Sequence, residues 1–197
     1  MNETLRTTPE KPADKNDEII PVVDEHDMLI GYKRRGDITH EDIYRVVSLW
    51  VINSDGQILL AQRHKNKSHD PNKWGPAASG NVTQEDESYE AAGAKEGEEE
   101  IGLDILADDV QTELMAKQFV LDSASKWRFV SQLILARVSA KDFSLKKFTF
   151  QPEEVQALTW VDLDELIRDA AENPDKYVPT MAESLELLVQ HLQKGGA

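Results

Sequence analysis

The segment from Ile43 to Ile52 constrains this chain more than any other. Its core, Val46-Val47-Ser48-Leu49-Trp50-Val51-Ile52, is apolar almost without a break. A strand with one wet face alternates apolar and polar residues, so this run predicts a central strand buried on both faces. Asn53-Ser54-Asp55-Gly56 follows as a turn signal, and Gln57 to Arg63 returns as a partner strand. A sheet covered on both sides needs helices above and below it. The expected class is α/β (α+β), a mixed β-sheet between helices.

The flanking segments supply the other pieces. Residues 1–17 are rich in Thr, Pro, Lys and Asp and read as a disordered polar tail. Residues 18–197 read as a single domain, with 18–42 an N-terminal hairpin extension and 43–197 the core. In the extension, Ile19 to Val23 and Met28 to Tyr32 are short strands about the turn Asp24-Glu25-His26-Asp27. His64 to Pro76 is polar and irregular. Ser88 to Ile101 reads as a helix closed by Gly102. Val110 to Leu121 and Lys126 to Val138 read as strands joined by Asp122-Ser123-Ala124-Ser125, and Val155 to Val161 as another. Asp162 suits the cap of a helix from Leu163 to Ala171. Pro179 to Lys194 is amphipathic, with Met181, Leu185, Leu188, Val189 and Leu192 on one side.

Composition removes several function classes. A formal net charge of −15 argues against nucleic acid or an anionic membrane as the main partner. An acidic protein can still handle phosphates when a metal ion mediates the contact. The chain has no cysteine, which excludes disulfides, thiolate catalysis and cysteine-based zinc sites. No stretch reaches the apolar length of a membrane span, and the first residues lack the apolar core of a secretory signal. A cytoplasmic protein is expected, and a homodimer stays open as its assembly.

The chemistry concentrates in Glu96-Gly97-Glu98-Glu99-Glu100, four carboxylates in five residues. They crowd the last turns of a helix, where the helix dipole disfavours negative charge by about 0.3–1 kcal/mol each. Glu96, Glu99 and Glu100 stand at i, i+3 and i+4, so they share a face and repel one another. A bound divalent cation would turn that repulsion into coordination. A solvated acidic face is the alternative.

The spacing around this run resembles the signature of the Nudix hydrolases. That signature reads Gly, five residues, Glu, seven residues, then Arg-Glu-apolar-any-Glu-Glu-any-Gly-apolar. Glu87 is followed by seven residues and then by Lys95-Glu96-Gly97-Glu98-Glu99-Glu100-Ile101-Gly102-Leu103. Glu87, Glu96, Glu99, Glu100, Gly102 and Leu103 match. Gly80 lies one residue too far from Glu87, Lys95 replaces an arginine, and Gly97 replaces an apolar residue. The likeness runs from about Ile20 to Leu192 and implies a Nudix-type α/β/α sandwich.

The resemblance also implies a chemistry. Carboxylates on a helix suit Mg²⁺ or Mn²⁺, which bridge to substrate phosphates. By resemblance the ligands are Glu96, Glu99 and Glu100, with the backbone carbonyl of Gly80. Glu87 would orient the loop and Lys95. The general base sits either on the helix, at Glu99 or Glu100, or on a later loop, where Glu153 and Glu154 are the candidates. The implied substrate is a small-molecule diphosphate, such as a nucleoside diphosphate linked to another group. Arg34, Arg63 and Arg128 are candidates for binding it, along with Arg35, Lys65 and Lys67, and Trp74 or Trp127 for stacking on a base. The histidines show no ligand spacing and read as structural or surface residues.

Two further readings follow from the same likeness. The segment Val22 to Gln62 is similar to the isopentenyl diphosphate isomerase branch of the fold, which uses a cysteine and histidines around a metal. Here those positions read as Ser79, Asn81 and Tyr44, which disfavours isomerase chemistry. The departures at Lys95, Gly97 and Gly80 motivate the other reading, a Nudix fold kept as a ligand-binding or regulatory domain.

Overall fold

The computed structural model describes residues 15–121, 127–139, 145 and 148–194. Most of the expected tail (residues 1–14) and the linker 122–126 lie outside them. In chain order the elements are β1 (Ile19–Val23), β2 (Leu29–Arg34), β3 (Ile43–Asn53), β4 (Gln57–Arg63), β5 (Trp74–Gly75), β6 (Ala78–Asn81), α1 (Tyr89–Ile101), β7 (Gln111–Val120), β8 (Arg128–Val138), β9 (Val155–Asp162), α2 (Leu163–Glu172) and α3 (Met181–Lys194).

β3 is the spine of a nine-stranded mixed sheet. β8 runs parallel to it along its whole length, from Ile43↔Arg128 to Asn53↔Val138. Three antiparallel strands share the other edge in turn. β1 pairs at Ile43 and Tyr44, β6 pairs from Val46 to Leu49, and β4 pairs at Val51 and Ile52. The hairpin expected after Asn53 therefore forms, but it closes only two residue pairs before its strands part. β4 pairs with β9 along its whole length and, beyond the fork, with the two-residue β5, a strand inside the segment expected to be irregular.

Both faces of β3 are buried, as the apolar run requires. Val47, Leu49 and Val51 pack into the core shared with Ala92 and Ile101 of α1. Trp50 and Ile52 point the other way, into a core with Leu166 and Ala170 of α2 and Met181, Leu185 and Leu188 of α3. Each such side chain taken from water stabilises the fold by about 1.5–3 kcal/mol. Helices thus cover the sheet on both sides.

The acidic helix is held at both ends. Ser88 Oγ accepts the Ala91 N–H at 3.1 Å, a side-chain N-cap. Gly102 closes the helix in the left-handed conformation, φ 67°, which glycine adopts without steric cost. Gly93 and Gly97 cost the helix about 2 kcal/mol relative to alanine. A core side chain takes up that space at Gly93, and at Gly97 the backbone carbonyl of Leu103 comes close as well, 3.0 Å from where a Cβ would lie. A Cβ on Gly93 would lie 2.4 Å from Ile134 Cδ1, and one on Gly97 would lie 3.1 Å from Leu49 Cδ2.

The hairpin β1–β2 pins the start of this helix. Asp27, at its turn, is 8% exposed and has φ 62°. Its carboxylate accepts from Arg45 Nε at 2.7 Å, from Lys117 Nζ, and from the hydroxyl of Tyr89, the first residue of α1, at 3.0 Å. Burial opposes ionisation of Asp27, but Lys117 and Arg45 outweigh it and hold the group below the usual carboxylate range. Arg45 and Lys117 also lie over the Tyr89 ring, 5.5 Å and 4.8 Å from its centre.

Candidate active site

The fork between β3 and β4 opens into a cavity of about 900 Å³. Tyr44, Val46 and Ser48 of β3 form part of its wall, and Ala61 and Arg63 of β4 another. β6 contributes Ser79, Gly80 and Asn81, and α1 contributes Glu96 and Glu100. Four cationic side chains, Lys15, Arg35, Arg63 and Lys67, share the cavity with these acids. Phe119, Val120, Leu121, Trp127, Phe129 and Val178 make an apolar wall.

The carboxylate of Glu96 lies directly against Gly80. A Cβ on that residue would fall 2.1–2.3 Å from the carboxylate atoms, so any larger residue there would push the Glu96 carboxylate away. Glu100 Oε2 accepts the Ser79 N–H at 3.0 Å. Burial pushes the Glu96 carboxyl up to about 7, opposed by Lys15 and Lys95. Burial, followed by the charge of Glu96, pushes Glu100 up to about 8. A cation between the two acids would remove both penalties. Among the described residues no three Asp, Glu or His side chains already converge as a cluster. The donors that do meet are two carboxylates beside a strand end. That sparse, hard set fits Mg²⁺ or Mn²⁺, which keep waters and share substrate oxygens.

The other expected site residues fall into two groups. Glu154 lines the cavity, with Lys15 on one carboxylate oxygen at 3.3 Å and Lys67 on the other. Arg63 also lines it, and its guanidinium donates twice to the His69 carbonyl, at 3.1 Å each. Glu99 is exposed and outside the lining, although its charge is felt at Glu96. Glu153 is exposed and outside the cavity lining.

Four expectations need correction. Lys95 pairs not with Glu87, which is exposed, but with Asp86, at 3.1 Å. Asp86 also accepts from the Thr83 N–H at 2.7 Å and the Thr83 hydroxyl at 2.8 Å. Since Asp86 is the sixth residue after Gly80, the extra residue of the signature lies between Asp86 and Lys95, not in the loop before. Arg34 pairs with Asp17 on the surface, and its neighbour Arg35 reaches the cavity instead. Arg128 donates to the Leu121 carbonyl at 3.2 Å and pairs with Glu25 at 3.3 Å, so it ties the sheet edge together. Trp74 packs against the core beneath α2 and α3, and Trp127 is the tryptophan on the cavity wall.

Sequence reasoning missed Lys15 and His69 as cavity residues. Lys15 lay in a segment read as tail, and no local signal ties it to residue 154. His69 packs edge-on to Trp127, with ring centres 5.6 Å apart, a long-range contact with no trace in spacing.

The NUDIX domain profile matches residues 43–185. A Methanosarcina mazei protein named prenyl-diphosphate phosphatase is 29% identical over 169 residues, 85% of this chain and 92% of that one. An isopentenyl-diphosphate Delta-isomerase of Aromatoleum aromaticum is 27% identical over 185 residues, 92% of this chain and 91% of its own. A Deinococcus radiodurans protein of known crystal structure shares the fold, with a TM-score of 0.70 and 24% identity over 86% of this chain and 98% of that one.

Proposed function

This chain belongs to the Nudix family, and from that premise we propose that it is a metal-dependent hydrolase of the diphosphate bond in a small molecule. One observation carries the reading. The buried Glu96 and the half-buried Glu100 meet the β6 strand end in a cavity that also holds four cationic side chains.

In this reading Glu96, Glu100 and the Gly80 carbonyl hold Mg²⁺ or Mn²⁺, with Glu99 at the outer edge. When bound, the ion neutralises phosphate charge and activates water. The protein supplies the placement. The Ser79 N–H fixes the Glu100 carboxylate, and the Lys95–Asp86 pair fixes the loop between β6 and α1. Arg35, Arg63 and Lys67, which line the same cavity as the acids, orient the diphosphate. The apolar wall seats the group attached to it and keeps bulk water from that end.

Two substrate types suit the wall. A nucleoside diphosphate linked to a second group would stack its base on Trp127 or Phe129. A prenyl diphosphate would lay its chain along Phe119, Leu121 and Val178, which the relative named for that activity favours. Isomerase chemistry is disfavoured, because Tyr44, Ser79 and Asn81 all line the cavity where that branch carries histidines and a cysteine. A panel of nucleoside diphosphate and prenyl diphosphate compounds, assayed with Mg²⁺ and Mn²⁺ for released phosphate or nucleotide, tests the reading. Turnover of one class assigns the substrate. No turnover on either, with no metal-induced rise in melting temperature, would leave a ligand-binding Nudix domain.

A further inference from the structure

Resting on the diphosphate reading above, we propose that Lys15 is a substrate-binding residue and that Glu154 is a positioning residue. Glu154 holds the ammonium groups of Lys15 and Lys67 toward the diphosphate and is not the general base. Both of its oxygens are occupied, Oε1 by Lys15 at 3.3 Å and Oε2 by Lys67. The side chain of Glu154 is 14% exposed, against 38% for Lys15 and 24% for Lys67. The anion is thus the inner member of the trio and the two cations are its outward face. All three side chains line the same cavity.

The donor count agrees. An ammonium carries three N–H donors. Each lysine uses one on Glu154, so two on each remain for phosphate oxygens. The trio carries a net positive charge and shares the cavity with Arg35 and Arg63. A carboxylate with a cation on each oxygen is a weak proton acceptor, because taking up a proton would break two charge-assisted bonds. Burial opposes ionisation of Glu154, but the bonds from Lys67 and the charge of Lys15 outweigh it and hold the group below its ordinary range.

Lys15 is not loosely placed. The Glu18 N–H donates to the Lys15 carbonyl at 3.4 Å, and the Arg35 N–H donates to the Glu18 carbonyl at 2.8 Å. The Arg35 guanidinium then pairs with the Glu18 carboxylate at 3.1 Å. The turn 15–18 is thereby fastened to the end of β2, and both Lys15 and Glu18 form cavity wall. The extension ahead of β3 therefore supplies part of the binding site.

The test uses the full chain and the variants Lys15→Gln, Lys15→Arg and Glu154→Gln. Inorganic pyrophosphate is titrated calorimetrically with Mg²⁺ and with EDTA, and steady-state kinetics are run on whichever diphosphate the wild type hydrolyses. Lys15→Gln should weaken pyrophosphate binding and raise KM by about tenfold, the loss of one charge-assisted hydrogen bond, with kcat within about threefold. Lys15→Arg should restore most of that loss. Glu154→Gln should also act on KM and keep the acid limb of the kcat–pH profile. A fall in kcat of about 10²–10⁴-fold with loss of that limb would make Glu154 the general base and overturn the assignment. Tighter pyrophosphate binding by Lys15→Gln would make Lys15 a plug, which also overturns it. If the wild type hydrolyses no diphosphate, the hydrolase reading fails, while the titration still decides the role of Lys15.

Discussion

Replacing Asp27 separates what its charge contributes from what its backbone contributes, and both can be sized from the structure. Asp27→Asn keeps the shape, and asparagine tolerates the left-handed conformation at φ 62°. It removes the negative charge that Arg45 and Lys117 face. Hydrogen bonds to charged groups contribute about 1.5–3 kcal/mol. Because Arg45 and Lys117 are 25% and 34% exposed, water recovers part of that, and the expected loss is about 2 kcal/mol. Asp27→Ala also forces a Cβ-branched-free but still chiral residue into the left-handed region, adding about 1 kcal/mol. Asp27→Gly should escape that last increment. Urea denaturation gives the three values directly. For a chain this long, about 2 kcal/mol corresponds to roughly 4–8 °C in melting temperature.

The pH dependence carries the same signature. The folded pKa of Asp27 is depressed below 3.8, so its contribution is complete above the unfolded value and is lost as pH falls through the folded one. Wild type and Asp27→Asn should therefore differ at neutral pH and converge in strong acid. An Asp27→Asn variant as stable as wild type at pH 7, or a difference that does not shrink in acid, would refute this account of the cluster.

Other consequences are quicker to check. Gly80→Ala should keep the fold but displace the Glu96 carboxylate, and the rise in melting temperature produced by Mg²⁺ or Mn²⁺ in wild type should largely vanish; an unchanged metal response would detach Gly80 and Glu96 from the metal site. Glu100→Gln should lower turnover by about 10²-fold or more while raising melting temperature in EDTA, since it relieves repulsion with Glu96; wild-type rates would remove Glu100 from the site. Asp86→Ala should cost about 1–2 kcal/mol through the lost Lys95 pair and the lost Thr83 bonds, whereas Glu87→Ala should be nearly neutral; equal losses in urea melts would restore Glu87 as the partner.

The parts legible in the sequence were those set by local pattern. The Val46–Ile52 run announced a strand covered on both sides because every second residue feeds a different core. Ser88 and Gly102 marked the helix ends because capping chemistry is local. The partner of Lys95 was not legible, since the choice between Asp86 and Glu87 depends on where one extra residue is absorbed. Arg34 and Arg35 exchanged roles for a similar reason: neighbouring side chains on a strand end leave on different sides. Lys15 and Glu154, 139 positions apart, meet only because the fold brings the turn before β1 to the loop before β9.

Among the described residues one backbone hydrogen bond joins that loop to the acidic helix. The Gln151 N–H donates to the carbonyl of Glu100 at 3.2 Å, and Thr149 packs against Gly102, where even a Cβ would lie 2.2 Å from its hydroxyl oxygen. One amide proton therefore sits between the helix bearing Glu96 and Glu100 and the loop bearing Glu154. Its exchange with solvent, followed by NMR during titration with metal and then with pyrophosphate, gives a spectroscopic handle on both halves of the cavity at once.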